Sequence, residues 1–498
     1  MEGYMTADRQ DGRKKALRFV VIGAGMAGIL AGVKLKAAGR TNFAIYEKGH
    51  AVGGTWRENR YPGLTCDVPA HCYTYSFAPN PEWSAFFAPG PEIKSYFEGI
   101  VRDYGIREHL HLNSEVMSTV YDEASGKWKI ELADGRTDEA DLLIAATGVL
   151  HHPNIPDFEG IEDFKGHVFH SARWDDSASL DGARVGVVGS GSTGVQIVSA
   201  LSVRSAHVVH LQRSPQWIMP VENFDYSEEQ RASFRADPAS IDSIRFGEEY
   251  WAGIRRFNKA IIEPESDQMH EIQDVVQRNL EESIKDPILR ETLRPDYMAA
   301  CKRLIYSPDY YEAVQRHTVA VDTGQIKRFV SNGIEMADGT VHELDTVVLA
   351  TGFKADRFMR PMTVKGRNGA DLDLFWDKRP TAYLAVSMPD FPNFFMLNGP
   401  TGPVGNFSLI DIAEQQWGYI QPFFEMIEEG KVRAVSASHD AMARYEANRL
   451  QAAGKTVFGS GCTSWYLDRE GVPLTWPWSY DAFGQAMAAP VMEDFELS

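Results

Sequence analysis

Twice along this chain an apolar run ends in Gly-x-Gly-x-x-Gly and passes into a helix-like pattern. The first run is LRFVVIGAG (17–25), followed by an apolar segment over 26–38 with Gly39 as its stop and by FAIYEK (43–48) as a second strand. The second is ARVGVVGSG (183–191), followed by TGVQIVSALS as a helix and HVVHLQRS (207–214) as a strand. Strand, glycine turn, helix and strand within about 30 residues open a doubly wound α/β domain. The sequences between the two units differ, so they read as separate domains and not as a tandem repeat. The expected fold class is α/β, with two Rossmann-like dinucleotide-binding domains.

Each glycine has a task. Gly23 allows the tight turn, Gly25 lets a pyrophosphate approach the backbone, and Gly28 lets the helix pack close to the strand. The diphosphate then lies at the positive end of the helix. Glu47 ends the next strand, where a carboxylate can accept hydrogen bonds from both adenosine ribose hydroxyls. Gly189, Gly191 and Gly194 repeat the spacing, with Ser192 and Thr193 opening the helix as further candidate cofactor contacts. The second strand here ends in Arg213 and Ser214 and has no acid at the ribose position. A carboxylate would repel a 2′-phosphate, whereas a guanidinium pairs with one, so NADPH is expected over NADH. Two nicotinamide sites in one chain would be odd, and an N-terminal glycine loop with an acid is common in FAD proteins. Gly53, Gly54, Thr55 and Trp56 follow where such proteins continue around the flavin. FAD with NADPH means hydride transfer to a flavin that then reduces something else.

The rest of the chain sets bounds. At 498 residues, two or three domains are expected. The net charge of −19 argues against nucleic acid or an anionic membrane as the main partner. No stretch reaches the roughly 18 apolar residues of a membrane span, and residues 1–15 are polar with no apolar signal core, so a cytoplasmic protein is expected. Cys66, Cys72, Cys301 and Cys462 are scattered without CxxC spacing, so they are expected to be reduced structural thiols. No metal site is expected. Residues 221–300 are rich in charge, and Ile272, Val275, Val276, Leu280 and Ile284 share one helix face, which points to a helical insertion. Pro238, Pro264, Pro287 and Pro295 mark breaks between its helices. The C-terminal third, with its aromatic and Pro/Gly-rich segments, is expected to form ordered functional loops.

Phe164-x-Gly166-x-x-x-His170-x-x-x-Trp174-Asp175, in the segment FKGHVFHSARWD, resembles the FxGxxxHxxxW[P/D] fingerprint of type I Baeyer–Villiger monooxygenases. The flavin-containing and N-hydroxylating monooxygenases are similar in their two glycine loops but carry Tyr or Phe where Trp174 stands. The resemblance continues through GGTWRENRYPGLTCDVPAHCYTYSF (53–77), LQRSPQWIMP, KRLIYSPDYYEAV (302–314), DTVVLATGF, FPNFFMLNGP and CTSWYLDREG (462–471). Four places depart from the family pattern. Arg57 replaces an aromatic, Leu64-Thr65 stands where Ala-x is common, Val68-Pro69-Ala70 lacks the usual Glu-Ser, and the chain reads GPTGPVGNFS (399–408) where the family's GP-rich loop often has Ser and Pro. Substrate preference is therefore not transferred.

The resemblance implies insertion of one oxygen from O2 beside a ketone carbonyl, giving an ester or lactone through a C4a-peroxyflavin. Such chemistry needs a fixed cation, a carboxylate to orient it, and exclusion of water. Carried over from the family, Arg303 is the cation and Asp67, which also borders the flavin, is its partner. Lys302 joins Arg213 at the 2′-phosphate. Trp465 lies against the nicotinamide cofactor, Trp56 borders the flavin, and His170 joins the two domains and is not a general base. The implied division is an FAD domain over 1–150 and 353–498, an NADP domain over 151–220 and 300–352, and a helical insertion over 221–299. The expected partners are a small ketone and O2, with the protein a monomer or weak homo-oligomer. The alternatives are a flavin-containing monooxygenase oxidising sulfur or nitrogen in soft nucleophiles, and a redox-inactive protein that merely binds both dinucleotides.

Overall fold

Apolar four- and five-residue strands buried on both faces need helices on either side, and the chain provides them. The computed structural model describes residues 15–405 and 407–498; the polar N-terminal stretch falls almost wholly outside them. One parallel sheet runs in the order Phe394–Met396, Leu142–Ala145, Phe19–Ile22, Phe43–Tyr46, Leu110–His111. The second, also parallel, runs His167–His170, Thr346–Leu349, Arg184–Val188, His207–Leu211, Val319–Asp322. In each sheet the strand that feeds the glycine loop is central. On one side of it lies the strand that ends the β-helix-β unit. On the other lies the strand that runs into Ala-Thr-Gly.

The two sheets differ at one edge. In the first, the strand beyond Leu142–Ala145 comes from far downstream. In the second, the edge strand His167–His170 comes from upstream of the glycine loop and belongs to the Phe164–Asp175 segment. An antiparallel ribbon precedes each Ala-Thr-Gly strand, over 116–140 in the first half and 326–343 in the second.

The insertion is helical, with helices Glu228–Ala236, Ala239–Arg245, Glu248–Ile262, Asp267–Ser283 and Pro287–Thr292. Met269, Ile272, Val276 and Leu280 form the buried face of the longest of these helices. Ile284 is buried just past its end, and Val275 sits at the margin of the face. Pro238 and Pro287 open helices instead of merely interrupting them. Tyr226 and Ile254 join the core around the first sheet, while Ile261 and Met269 join the core around the second, so the insertion touches both.

The expectation of loops throughout the C-terminal third needs correcting. Helix Leu409–Glu428 buries Ile410, Ala413, Trp417, Ile420, Phe424 and Ile427, and helix His439–Ala453 follows it. Pro422 lies inside the first of these helices and masks it in the sequence. A second correction concerns the thiols. Cys301 and Cys462, 161 residues apart, form a disulfide with a Cα separation of 6.3 Å, while Cys66 and Cys72 are free and buried. Among the described residues no helix is long and apolar enough to cross a membrane.

Candidate active site

The first glycine loop has the geometry its spacing requires. Gly23 sits at φ +102°, and a Cβ on Gly28 would stand 1.8 Å from the Gly23 carbonyl oxygen, so the third glycine is obligatory. Glu47, 5% exposed, accepts the Ala24 N–H at Oε2 (2.8 Å). At Oε1 it accepts the Gly49 N–H and Arg57 Nη1, both at 2.7 Å. A carboxylate offers about four acceptor positions, so these three leave capacity for one ribose hydroxyl, not the two expected from the sequence. A cavity of about 580 Å³ runs from Glu47 past Gly23 and Gly25 to Gly54, Thr55, Trp56 and Trp465. Gly25 and Gly54 approach closely enough that a Cβ on Gly25 would touch the Gly54 Cα at 3.6 Å. These features fit a dinucleotide lying along the loop. Trp56 donates its indole N–H to the Tyr73 hydroxyl (3.2 Å), which fixes the ring at the cavity wall.

The second loop repeats the backbone, with Gly189 at φ +119° and a Cβ on Gly194 falling 1.9 Å from the Gly189 carbonyl oxygen. His210 Nε2 is 3.0 Å from that carbonyl, and Tyr310 Oη is 3.0 Å from His210 Nδ1. Burial pushes His210 down to about 4, so it stays neutral as a brace under the turn. The Ser192 hydroxyl at the start of helix Ser192–Leu201 is buried without a partner among the described residues, and Thr193 Oγ1 donates to Tyr61 Oη (3.3 Å). Lys302 Nζ donates to Ser214 Oγ (2.9 Å) and lies 4.1 Å from the Tyr297 ring. Burial lowers the Lys302 pKa, and the charge of Arg213 lowers it further. Two adjacent cations, an orphan hydroxyl and a helix N-terminus suit a phosphate-bearing nicotinamide cofactor.

Arg303 and Asp67, 236 residues apart in sequence, form an ion pair, Nη2 to Oδ2 at 2.6 Å. Arg303 Nη1 donates to the Gly405 carbonyl (2.9 Å). Burial works against the guanidinium charge, but Asp67 and Tyr466 outweigh it and hold Arg303 above its ordinary value. The pair does not line the large cavity itself; it packs against Tyr466, which does. Trp465, singled out in the sequence, is 45% exposed at the cavity and rests on Tyr466, ring centroids 4.2 Å apart. Tyr466 is 3% exposed, and sequence reasoning missed it. The Cys301–Cys462 disulfide ties the segment holding Lys302 and Arg303 to the loop carrying both aromatics.

The fingerprint lies at the seam between the sheets. Phe164 is buried beside Phe329, and a Cβ on Gly166 would stand 2.2 Å from the Asp345 carbonyl oxygen. His170 Nε2 donates to the Gly352 carbonyl (2.9 Å), and Nδ1 accepts the Ala172 N–H (3.1 Å). Burial lowers the His170 pKa, so it is a neutral strut onto the chain crossing. At that crossing, Asn154 N–H bonds Gly352 O (2.8 Å) and Lys354 N–H bonds His152 O (2.9 Å). Trp174 packs edge-on to Phe169, and Asp175 caps the following turn through Ser177.

Two glycine loops of this geometry, with a cavity along the first and the partly buried Arg303 beside the Lys302 of the second, define a class: the two-dinucleotide flavoprotein monooxygenases. A family model described as "Flavin-binding monooxygenase-like" matches residues 16–229. An uncharacterised monooxygenase of Mycobacterium tuberculosis is 41% identical over 478 residues, covering 96% of this chain and 95% of the relative. A Baeyer–Villiger monooxygenase of Streptomyces coelicolor is 37% identical over 464 residues, covering 93% and 89%. The NADP+-bound structure of cyclohexanone monooxygenase from Rhodococcus sp. Phi1 superposes with a TM-score of 0.86 at 30% identity, covering 97% of this chain and 99% of that one. This chain belongs to the type I Baeyer–Villiger monooxygenases.

Proposed function

We propose that this protein inserts one oxygen atom from O2 beside the carbonyl of a small ketone, giving an ester or lactone. The reading places FAD along the first glycine loop and NADPH at the second. The observation that carries it is the Arg303–Asp67 pair set behind Tyr466 at the wall of the cavity. When bound, the flavin supplies the redox chemistry, taking hydride from NADPH and delivering electrons to O2.

The chain's own residues do the rest. Arg303 keeps its proton at any working pH, and its five-donor guanidinium retains N–H groups beyond those given to Gly405, Asp67 and Tyr466. These donors can meet negative charge developing on a carbonyl oxygen, with no reorganisation at the moment of reaction. Asp67 and the Gly405 carbonyl fix the plane of the guanidinium. Tyr466 covers the guanidinium on its cavity side, while the pair stays partly exposed, 27% for Arg303 and 20% for Asp67. Arg213, Ser214 and Lys302 grip the 2′-phosphate, and Glu47 holds the ribose of the flavin nucleotide.

Arg303→Ala should keep NADPH oxidation and lose ester formation by about 10²- to 10³-fold, as expected for one donor to a developing oxyanion. Product analysis over a panel of ketones and thioethers checks this; a normal ester yield from the variant would overturn the assignment. The division into a flavin domain (1–150 and 353–498), a nicotinamide domain (151–220 and 300–352) and a helical insertion (221–299) belongs to the same proposal. Limited proteolysis with and without cofactors tests those boundaries. Sedimentation velocity tests the expected monomer or weak homo-oligomer.

A further inference from the structure

Arg57 stands where an aromatic is usual in the family, and the structure gives it work. Its side chain is 6% exposed, as is that of Glu47. Nη1 donates to Glu47 Oε1 and to the Ala51 carbonyl, both at 2.7 Å. Nη2 donates to Glu58 Oε1, and Glu58 Oε2 in turn pairs with Nη1 of Arg173, the residue before Trp174 of the fingerprint. The guanidinium lies on Gly49, where a Cβ would stand 2.0 Å from Nη1. Helix Thr55–Glu58 holds the backbone of Arg57, its N–H bonded to Gly54 O (3.0 Å). Burial opposes the Arg57 charge, and Glu47 and Glu58 more than restore it.

This arrangement fixes Glu47 in one orientation. Oε1 is filled by the Arg57 guanidinium and the Gly49 N–H, and Oε2, bonded to the Ala24 N–H, keeps the one open acceptor position at the cavity. A free carboxylate could turn and present either oxygen; this one cannot without breaking a buried ion pair.

We propose that Arg57 is a positioning residue of the flavin-nucleotide site, clamping Glu47 so that a single carboxylate oxygen reads one adenosine ribose hydroxyl, with the far side of the clamp anchored through Glu58 to Arg173 of the fingerprint. The inference rests on the reading that the first glycine loop holds FAD.

The test measures binding to the apoprotein, by quenching of flavin fluorescence, of FAD and of its analogues lacking the 2′- or the 3′-hydroxyl of the adenosine ribose. The wild-type chain should lose about tenfold in affinity for one deoxy analogue and little for the other, since one hydrogen bond to a charged group is lost. Arg57→Lys keeps the charge but cannot bridge Glu47, Ala51 and Glu58 with one planar fork. It should bind FAD several-fold more weakly, with the preference between the two analogues reduced to about twofold or less. Arg57→Gln should abolish the preference. A merely structural role would weaken all three ligands equally and leave the preference intact, and that result would overturn the proposal. Glu47→Gln serves as the control. If it loses the preference while both Arg57 variants keep it, only the role of Arg57 falls. If none of the three variants changes FAD binding, the placement of FAD at this loop falls as well.

Discussion

The two glycine loops share a backbone and differ in what stands at the end of the next strand. At the first, Glu47 is buried and already accepts from two backbone N–H groups and Arg57, with one acceptor position left. At the second, Arg213 and Lys302 sit side by side, and among the described residues neither has a carboxylate within ion-pair distance. The turn fixes where a diphosphate can lie, and the charge beyond it decides which dinucleotide is taken. The first site is built ahead of its ligand; the second leaves uncompensated positive charge that a phosphate would neutralise.

Reversing that charge is the strongest way to break the contrast. Arg213→Glu puts a carboxylate where the first loop has one, and the kcat/KM preference for NADPH over NADH should fall by about 10³-fold, near 4 kcal/mol, from lost charge-assisted bonds plus repulsion. Steady-state kinetics with both nicotinamides measures it; an unchanged ratio would move the 2′-phosphate elsewhere. Next in size is the tether beside the second site. Replacing both Cys301 and Cys462 by Ser removes a cross-link closing a long loop and should lower unfolding stability by about 2–4 kcal/mol in denaturant titrations. The same loss should appear in the wild-type protein under a dithiol reductant, and the Cys-to-Ser variant should not respond to that reductant.

A third prediction turns on how a buried carboxylate is paired. Asp411 is largely buried but, unlike Glu47, accepts its hydrogen bond from the neutral amide of Gln415. Its pKa is raised to about 6, chiefly by burial and in part by Glu414, with Gln415 and Arg245 pulling the other way. With the folded value above the unfolded one, the stability Asp411 contributes is complete below about pH 4 and is lost as pH rises through about 6. Asp411→Asn should therefore match wild type near pH 4 and exceed it by about 2 kcal/mol at pH 8, in unfolding curves across that range. Identical curves would mean that the carboxyl is well solvated. The smallest effect is expected from Lys302→Ala, which should raise KM for NADPH about tenfold, near 1.4 kcal/mol, and leave FAD affinity unchanged. A change in FAD affinity would show that the two sites are less separate than their charges imply.

Much of this molecule was legible because its strongest signals are local. Gly28 and Gly194 are forced by contacts within one turn, so the spacing alone revealed them. The same holds for the Glu47 and Arg213 contrast, one strand away from each loop. What escaped notice depends on distant partners. Arg57 read only as a departure from the family pattern until the fold brought Glu47 and Glu58 to either side of it. Tyr466 was overshadowed by Trp465, since nothing in SWY tells which aromatic turns inward toward Arg303. The His167–His170 strand read as part of a fingerprint, and its place at the sheet edge follows from pairing with Thr346–Leu349, far downstream.

The sequence by itself determined the two glycine turns, the class of ligand each can take, the helical nature of the insertion and, through the fingerprint, the family. These are properties of short windows, where steric and charge requirements act between neighbours. Only the tertiary structure decided that Arg303 meets Asp67, that Cys301 meets Cys462, and that the Arg303–Asp67 pair stands behind Tyr466 and not in the open cavity. Each of those pairings joins residues more than 150 positions apart, and such a contact depends on how whole layers pack.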